Sequence, residues 1–336
     1  MPSHRPLIET AFHRWIPSHV AEAGGLFVNV PSGLLSALTG IDPVVISLAV
    51  LVNATGIWLR AEAWRGLVRH ACGGRPVRSR DAFHAYVVGL VGNAFLPARA
   101  GEAARVGVLA RGVDADGAYA RVAGTAVAHR IIDAIPFALL VLLATASGGT
   151  PVLGGVATAA VVVGCVVAVA AVVVLARRPA RNGIAGGRVA GWLRALRGGV
   201  TGLGDPRTAA RALALETAAW AAQLAVVWLT LDAFGLPTTL AAAALTLVAV
   251  NVAVALPLVP GGVGLFQAAT ALSLGAGGVA AAAGVAFGVG LQALELLTTV
   301  LVGLPVLAHG GIVLTRGRAW PFRGRVAGSA RARAGR

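Results

Sequence analysis

Apolar stretches close to the length of a membrane span recur along the chain, separated by short polar or glycine- and proline-rich segments. About 20 consecutive apolar residues form a helix that crosses the roughly 30 Å hydrocarbon core of a bilayer. Asp42-Pro43 and Asp205-Pro206 are typical helix starts, each with an aspartate cap and a proline at the first helical position. The pattern predicts six full spans, at about 21–39, 43–59, 122–146, 152–176, 209–231 and 279–307.

Two further apolar segments, 83–109 and 240–274, are interrupted by proline and glycine. Proline removes a backbone donor and glycine permits a tight turn, so each segment is predicted to form a helix, a break and a second helix. We predict that both turn back inside the membrane as re-entrant hairpins, with the two asparagines capping the broken helices. The residues assigned to the breaks are Asn93, Pro97, Gly101, Asn251, Pro257, Pro260, Gly261, Gly262 and Gly264.

The distribution of arginine favours this topology. All 28 basic residues are arginine, and 21 of them fall in three blocks, at 60–80, 177–211 and 316–336. Arginine beside apolar spans marks the cytoplasmic side of a membrane. If both interrupted segments are hairpins, every block lies on one face and the opposite turns carry only Asp42 and Asp232. The chain is therefore predicted to lie in the cytoplasmic membrane with both termini in the cytosol.

Composition excludes a soluble protein, since apolar residues make up 57% of the 336 residues and charged residues only 12%. We predict an all-α polytopic transmembrane bundle. It comprises an interfacial segment at 1–20, a transmembrane domain at 21–309 with a cytosolic arginine-rich loop at 177–208, and a disordered basic tail at 310–336. A second interfacial helix is expected around Trp192 within the loop. The net charge of +15 reflects the arginine blocks rather than nucleic-acid binding.

Hairpins that enter from opposite faces predict an inverted repeat, which in transporters surrounds a site near the membrane midplane. The alternative is that Leu-Pro pairs recur by chance, because proline and glycine are frequent in transmembrane helices.

Charged side chains gather at the first hairpin and in the span that follows it. Charges at membrane depth are costly, so they mark a site or pair with one another. The planar guanidinium matches phosphate oxygens in bidentate fashion, and the five residues carry one net positive charge. We predict that they bind a lipid headgroup, with the carboxylates holding the arginine rotamers; structural ion pairs are the alternative. These residues are Arg99, Glu102, Arg105, Arg130 and Asp133.

Other polar residues carry less information. Glu216, Gln223 and Glu295 lie within spans, where they either bind a cation or proton or bond neighbouring hydroxyls and backbone. His129 is interpreted as a packed, hydrogen-bonded residue rather than a proton relay. The cysteines and histidines lack ligand spacing, and no nucleophile with its base is evident, so we predict no metal, no cofactor and no enzyme activity.

The motif Asn93-x-x-Leu96-Pro97-x-Arg99-x-Gly101-Glu102-x-x-Arg105 resembles the first motif of the flippase-like membrane proteins. That family includes the transmembrane domain of lysylphosphatidylglycerol synthases. The element Arg130-Ile131-Ile132-Asp133 is similar to its Arg-Leu-Leu-Asp element, and the segment from Leu256 to Gly264 is similar to its second hairpin. The resemblance covers about 44–307, and the family's soluble aminoacyl-transferring domain is absent, so lipid aminoacylation is not implied.

The resemblance implies a transporter for an anionic phospholipid or a polyprenyl-phosphate-linked lipid, with these lipids as its partners. Gln267 and Gln292 stand where the family usually has a glutamate and an arginine, so an amide pair is expected in place of an ion pair. Two alternatives stay open. One is a non-transporting subunit that anchors a glycosyltransferase or another envelope-assembly partner through the arginine loop, and the other is a membrane-embedded lipid-modifying enzyme. A second copy of the chain, forming a homo-oligomer, is also left open as a partner.

Overall fold

The structure is a computed structural model that describes residues 42–96, 100–113, 117–146, 188–255 and 262–315, with isolated positions between 159 and 174. For 188–190 and 309–315 it describes the backbone only. These residues form helices and turns and no strand, which confirms the predicted all-α class for the described part of the chain. The helices are α1 Pro43–Ala71, α2 Ser79–Phe95, α3 Ala100–Ala110, α4 Ala118–Ala146, α5 Arg188–Val200, α6 Pro206–Ala233, α7 Leu240–Ala255, α8 Leu265–Gly275 and α9 Ala281–Thr315.

Four helices, α1, α4, α6 and the part of α9 up to Ala308, are long and apolar enough to cross a membrane. They match four of the six predicted spans. The other two spans and the N-terminal interfacial segment lie outside the continuously described residues. Two boundaries differ from the prediction: α1 continues to Ala71 rather than ending near 59, and α9 continues to Thr315, beyond the predicted start of the tail at 310.

The second half of α1 is the centre of the bundle. Leu67 and Val68 are fully buried there, and Trp64 donates from Nε1 to the hydroxyl of Thr125 on α4 at 3.0 Å. Close to the end of α1, Arg121 of α4 donates to the carbonyl oxygen of Ala71 at 3.1 Å. Later residues of α1 contact earlier residues of α4, so the two helices are antiparallel. Burial of these apolar side chains therefore stabilises the part of α1 that follows its first arginines.

Helix α6 also runs antiparallel to α1. Gly56 of α1 lies against Ala219 and Ala222, whereas His70 lies 3.7 Å from the carboxylate of Asp205, just before α6. Asp205 caps α6 as predicted, accepting from the backbone N–H of Thr208 at 2.9 Å. The side chain and the backbone N–H of Thr208 lower the pKa of the Asp205 carboxyl by hydrogen bonding.

Arginines collect at the end of the bundle where α1 finishes and α4 and α6 begin. The opposite end, which holds the α6–α7 and α8–α9 turns, carries Asp232 and no arginine among the described residues. The arginines at the first end are Arg69, Arg75, Arg78, Arg80, Arg111, Arg121, Arg194, Arg197, Arg207 and Arg211.

Helices α2 and α3 form one antiparallel pair. Glycines make the close approach possible: a Cβ added at Gly92 would lie 2.8 Å from Cα of Gly101, and one added at Gly89 would lie 2.9 Å from Cβ of Arg105. The arms have 17 and 11 residues, or lengths of about 25 and 16 Å. Each is too short to cross the hydrocarbon core alone.

Helices α7 and α8 form the second antiparallel pair. The hydroxyls of Thr246 and Ser273 lie 3.2 Å apart, and the backbone of Gly262 approaches Val254 near the other end of the pair. Gly264, which precedes α8, has φ of 87°, a conformation that glycine adopts without strain. The pair has 16 and 11 residues, so it has nearly the same dimensions as the first.

Helix α5 corresponds to the interfacial helix predicted in the arginine loop. It packs directly on α4 through Gly199 and Gly124, where a Cβ on either residue would collide with the backbone of the other helix. Trp192 and Leu193 are exposed, at 52% and 43%. One face of α5 thus packs closely on α4 through glycines, whereas the described residues leave the Trp192 and Leu193 side chains uncovered.

Candidate functional site

A network of charged side chains crosses the interior of the bundle near the middle of α4. Arg60 on α1 donates from Nη1 to Oδ1 of Asp133 at 2.8 Å and from Nη2 to Oε1 of Gln223 on α6 at 3.0 Å. Its guanidinium also lies 4.9 Å from the ring centroid of Trp220. Trp220 donates from Nε1 to the same Asp133 oxygen at 2.8 Å. Asp133 is thereby held by α1 and α6 at once.

The first hairpin joins this network through Glu102. One carboxylate oxygen, Oε2, lies 2.6 Å from Nη2 of Arg105, one turn further along α3. The other, Oε1, accepts from Nη2 of Arg130 and from Nδ2 of Asn93 at 3.3 Å. Arg130 continues to Asp133, with Nη1 at 3.4 Å from Oδ2. Four of the five predicted site residues are therefore contiguous, and the fifth, Arg99, lies outside the described residues.

The three described arginines of the network have different surroundings. Arg105 is 2% exposed, and its guanidinium lies over the rings of Trp64 and Tyr86, at 4.8 and 5.4 Å from their centroids. The side chain of Arg60 is 15% exposed, whereas that of Arg130 is 46% exposed. Arg130 is therefore the member of this set whose remaining donors can reach a ligand, while Arg105 is enclosed by aromatic rings.

A second contact extends the network to α6. Nε2 of His129 lies 2.6 Å from Oε1 of Glu216, which is fully buried. Nη1 of Arg60 lies 3.6 Å from the other oxygen of that carboxylate. The imidazole is aligned on the carbonyl oxygen of Arg60, at 3.2 Å, so neither oxygen of Glu216 accepts a well-directed hydrogen bond among the described residues.

The network lies at half the depth of the bundle. Arg130 and Asp133 stand on either side of the middle of α4, Ala118–Ala146. Glu102 belongs to the first turn of α3 and Asn93 to the last turn of α2. The tip of the α2–α3 pair, where the chain reverses, is therefore level with the middle of a membrane-length helix.

The second pair reaches a similar depth against α9. Gln267 in the first turn of α8 donates from Nε2 to Oε1 of Gln292 at 2.6 Å, and its own Oε1 accepts from the backbone N–H of Gly264 at 2.7 Å. Gln292 lies near the middle of the Ala281–Ala308 span. The structure therefore confirms the predicted amide pair, and both glutamines are buried.

The predicted break residues divide into three groups. Pro97, Pro257, Pro260 and Gly261 lie outside the described residues. Gly262 and Gly264 precede α8, and Gly101 lies inside the first turn of α3, so it serves helix packing rather than the reversal. Asn93 and Asn251 lie within α2 and α7.

The asparagine contacts differ from the predicted helix capping. Asn93 donates across the pair to Glu102, and Asn251 donates to the carbonyl oxygen of Leu247 in its own helix at 2.8 Å. An asparagine just before a break therefore need not cap it, because the helix continues for another turn in α7 and for two residues in α2.

Sequence reasoning missed the roles of Arg60 and Glu216. Arg60 was counted with the cytosolic arginine block, but it lies at mid-depth because α1 continues for another eleven residues to Ala71. A signal was present on α6: Glu216, Trp220 and Gln223 are spaced i, i+4, i+7 and so share one helix face. Such a polar stripe on an apolar helix requires a partner inside the bundle.

The network is electrically balanced among the described residues. Arg60, Arg105 and Arg130 oppose the carboxylates of Glu102, Asp133 and Glu216. The net positive charge predicted from the sequence counted Arg99 and omitted Arg60 and Glu216. Among the described residues there is no group of three histidine, cysteine or carboxylate side chains that could hold a metal ion.

Comparison with known proteins gives one family. A family model for the lysylphosphatidylglycerol synthase transmembrane region matches residues 20–303, which span every helix of the network. A search among curated proteins finds no match to the chain.

Proposed function

The chain belongs to the lysylphosphatidylglycerol synthase transmembrane-region family, and on that premise we propose that this multi-pass membrane protein moves a phosphate-bearing anionic lipid between membrane leaflets. Its lipid partners would be anionic phospholipids or polyprenyl-phosphate-linked lipids. The headgroup would pass Arg130, which lies between Glu102 and Asp133, while the acyl chains remain in the bilayer. The protein would act as a transporter and not as an enzyme.

The observation that carries the proposal is the state of Arg130. Glu102 and Asp133 hold its guanidinium from two sides, yet almost half of the side chain is exposed at mid-depth. A guanidinium has five donors in a fixed plane, so the ones left open can bind two phosphate oxygens at once. An arginine pinned in orientation and open on one edge suits a headgroup that must bind and leave.

The two short helix pairs support the same mechanism. The tip of each pair reaches the middle of a long helix. Glu102 of the first pair accepts a hydrogen bond from Arg130 of α4, and Gln267 of the second pair donates one to Gln292 of α9. Backbone that reverses at membrane depth is tolerated where it is buried in protein or lines a wet cavity. We propose that both pairs are re-entrant hairpins that enter from opposite faces and border the lipid path.

Membrane orientation follows from the arginine-rich end of the bundle, where α1 finishes and α4 and α6 begin. Arginines near the ends of spans are retained on the cytoplasmic side, where anionic headgroups also attract them. We propose that this end faces the cytosol in the cell membrane and that both termini are cytosolic.

The test is headgroup transfer in proteoliposomes made with fluorescent anionic lipids. Arg130→Lys keeps the charge and loses the bidentate fork, so transfer should fall about tenfold or more while the protein elutes from size exclusion as wild type does. Arg99→Lys should behave similarly if this residue also contacts the headgroup. Arg197→Lys, on α5 away from the network, is the matched control and should transfer at the wild-type rate.

A tolerant Arg130→Lys variant would mean that the network is structural. If the wild-type protein neither binds nor transfers any lipid across a broad anionic panel, the proposal is wrong.

A second candidate function, anchoring of an envelope-assembly partner, is favoured by the uncovered side of α5. A groove of about 510 Å³ lies between this helix and the start of α4. Tyr119, Trp192 and Ala195 line it together with small neighbours. Trp192→Ala should weaken recovery of such a partner from membranes without changing headgroup transfer; an effect on transfer alone would exclude anchoring through this groove.

A further inference from the structure

His129 on α4 and Glu216 on α6 meet inside the bundle, at a point that the proposed headgroup site does not use. Nε2 of His129 and Oε1 of Glu216 are 2.6 Å apart, and the two residues are 1% and 0% exposed. A carbonyl oxygen only accepts hydrogen bonds, so Nε2 carries a proton that points at the carbonyl oxygen of Arg60, and Glu216 meets this nitrogen without a directed hydrogen bond. The pair thus holds one proton on Nε2, and Nδ1 and the carboxylate are sites for another.

The remaining polar atoms of the pair have spare capacity. Nδ1 of His129 and both oxygens of Glu216 lack a directed hydrogen bond among the described residues, although all three atoms are buried. Buried polar groups are nearly always satisfied, since leaving one unpaired is costly. A pair with a purely structural role should not leave three such atoms without a directed hydrogen bond, whereas a site that gains and loses a proton cannot satisfy every atom in both states.

Charged and titratable groups face the pair from the described helices that pack around it. Arg60 faces Glu216 from α1 at 3.6 Å, and the ring of Tyr86 on α2 lies 6.0 Å from the imidazole. Asp133 also contacts Arg60, at 2.8 Å, and the charge of Arg60 acts on Glu295 of α9. Beyond them, Arg105 contacts Tyr86 and Arg130 contacts Asp133.

We propose that His129 and Glu216 form a proton-binding site that couples proton uptake to lipid movement, an inference that rests on the proposed lipid transport. A proton would enter from the water on one side, bind to the pair, and leave to the other side, so no covalent bond other than that to the proton changes. The pair gains one positive charge on loading and loses it on release.

The link to the headgroup site runs through Arg60, which is shared between Glu216 and Asp133. When the pair takes up a proton, its net negative charge disappears and Arg60 turns fully to Asp133. Asp133 then holds Arg130, now at 3.4 Å, less strongly. Arg130 becomes available to phosphate, so proton loading favours lipid binding and release of the proton favours lipid release.

Coupling is tested in proteoliposomes with an imposed pH difference, the membrane potential being clamped by potassium and valinomycin. One proton per lipid should hold a labelled anionic lipid at a leaflet ratio of about ten for each unit of pH difference. Glu216→Gln should still exchange lipid, but without proton coupling the labelled lipid should distribute equally between the two leaflets, a ratio of one. Glu295→Gln removes a half-buried carboxylate on α9; it is the control variant and should keep the ratio of the wild type.

An even distribution in the wild type, or loss of the gradient in Glu295→Gln but not in Glu216→Gln, would overturn the proposal. His129→Gln is a second variant, expected to lose the gradient as well, and size exclusion shows whether each variant folds.

Proton binding is tested separately, without lipid transport, by nuclear magnetic resonance of the nitrogen-15 labelled histidines in detergent. His129→Gln identifies the His129 signal, which is followed over about pH 5 to 8 and should change when the pair takes up its proton. Glu216→Gln should move this titration, and Glu295→Gln should leave it nearly unchanged. A wild-type signal that stays constant over the whole range refutes the proton site, even if lipid is transported; a titrating signal in a protein that moves no lipid refutes the transport proposal instead.

Discussion

Replacement of Gly101 by alanine should separate the two arms of the first helix pair. A Cβ at this position would lie 2.6 Å from both the backbone nitrogen and Oδ1 of Asn93, and it would also collide with the carbonyl oxygen of Gly89. Ordinary contact begins at 3.4 Å, so relief of the Asn93 contacts requires a movement of about 0.8 Å, and relief of the shorter Gly89 contact requires a larger one. Because two of these atoms are backbone, no change of rotamer can relieve the overlap.

The expected cost follows from packing. Overfilling a well-packed contact costs about 1–3 kcal/mol, and rigid backbone neighbours place Gly101→Ala near the upper end. Alanine regains roughly 0.5–1 kcal/mol over glycine within a helix, so the net loss of stability should be about 2 kcal/mol. Gly107→Ala is the matched control in the same helix α3, since a Cβ there meets nothing within 4 Å. It should stabilise the protein by about 0.5 kcal/mol.

Unfolding in mixed micelles, followed by tryptophan fluorescence, measures both variants against the wild type. Headgroup transfer gives an independent measurement, because the displaced arm carries Glu102 away from Arg130. Gly101→Ala should therefore lose transfer as well as stability. If Gly101→Ala is as stable as Gly107→Ala, the close approach of α2 and α3 does not exist in solution, and the first hairpin must be reconsidered.

Two further predictions concern orientation and the second hairpin. In a cysteine-free background, Ser79→Cys should react with a membrane-impermeant maleimide only from the cytosolic side, and Ala276→Cys should react only from the outside. The reason is that arginine-rich ends of spans are retained in the cytosol. Labelling from the reversed sides would contradict the orientation. Gln267→Glu alone should destabilise the protein, and the addition of Gln292→Arg should restore stability. Because the two side chains are hydrogen-bonded and buried, a double-mutant cycle should give a coupling energy of about 1–3 kcal/mol. Additive effects of the two substitutions would mean that the side chains do not pair.

Local features of the chain could be predicted from the sequence. The spans of α1, α4, α6 and α9 follow from apolar length alone, because unpaired backbone in hydrocarbon forces each such run into a helix. The starts at Pro43 and Pro206 follow because proline lacks the N–H that an interior position would need.

Short-range contacts within one helix could also be predicted from the sequence. Glu102 with Arg105 and Arg130 with Asp133 are i, i+3 pairs, and helix geometry alone brings such side chains together. The Gln267–Gln292 contact spans 25 positions, and it was predicted only because the family resemblance placed two opposite charges at those positions.

The partners that lie on different helices were decided by tertiary structure. Arg60 resembles the other arginines of its block in sequence, yet it lies among Asp133, Glu216 and Gln223, whereas Arg78 and Arg80 are exposed. Their roles diverge because α1 continues into the bundle and is buried between α4 and α6, which the local pattern of residues does not specify. The sequence alone determines the charge of an arginine, but the depth at which it lies and the carboxylate that it contacts depend on how the helices pack.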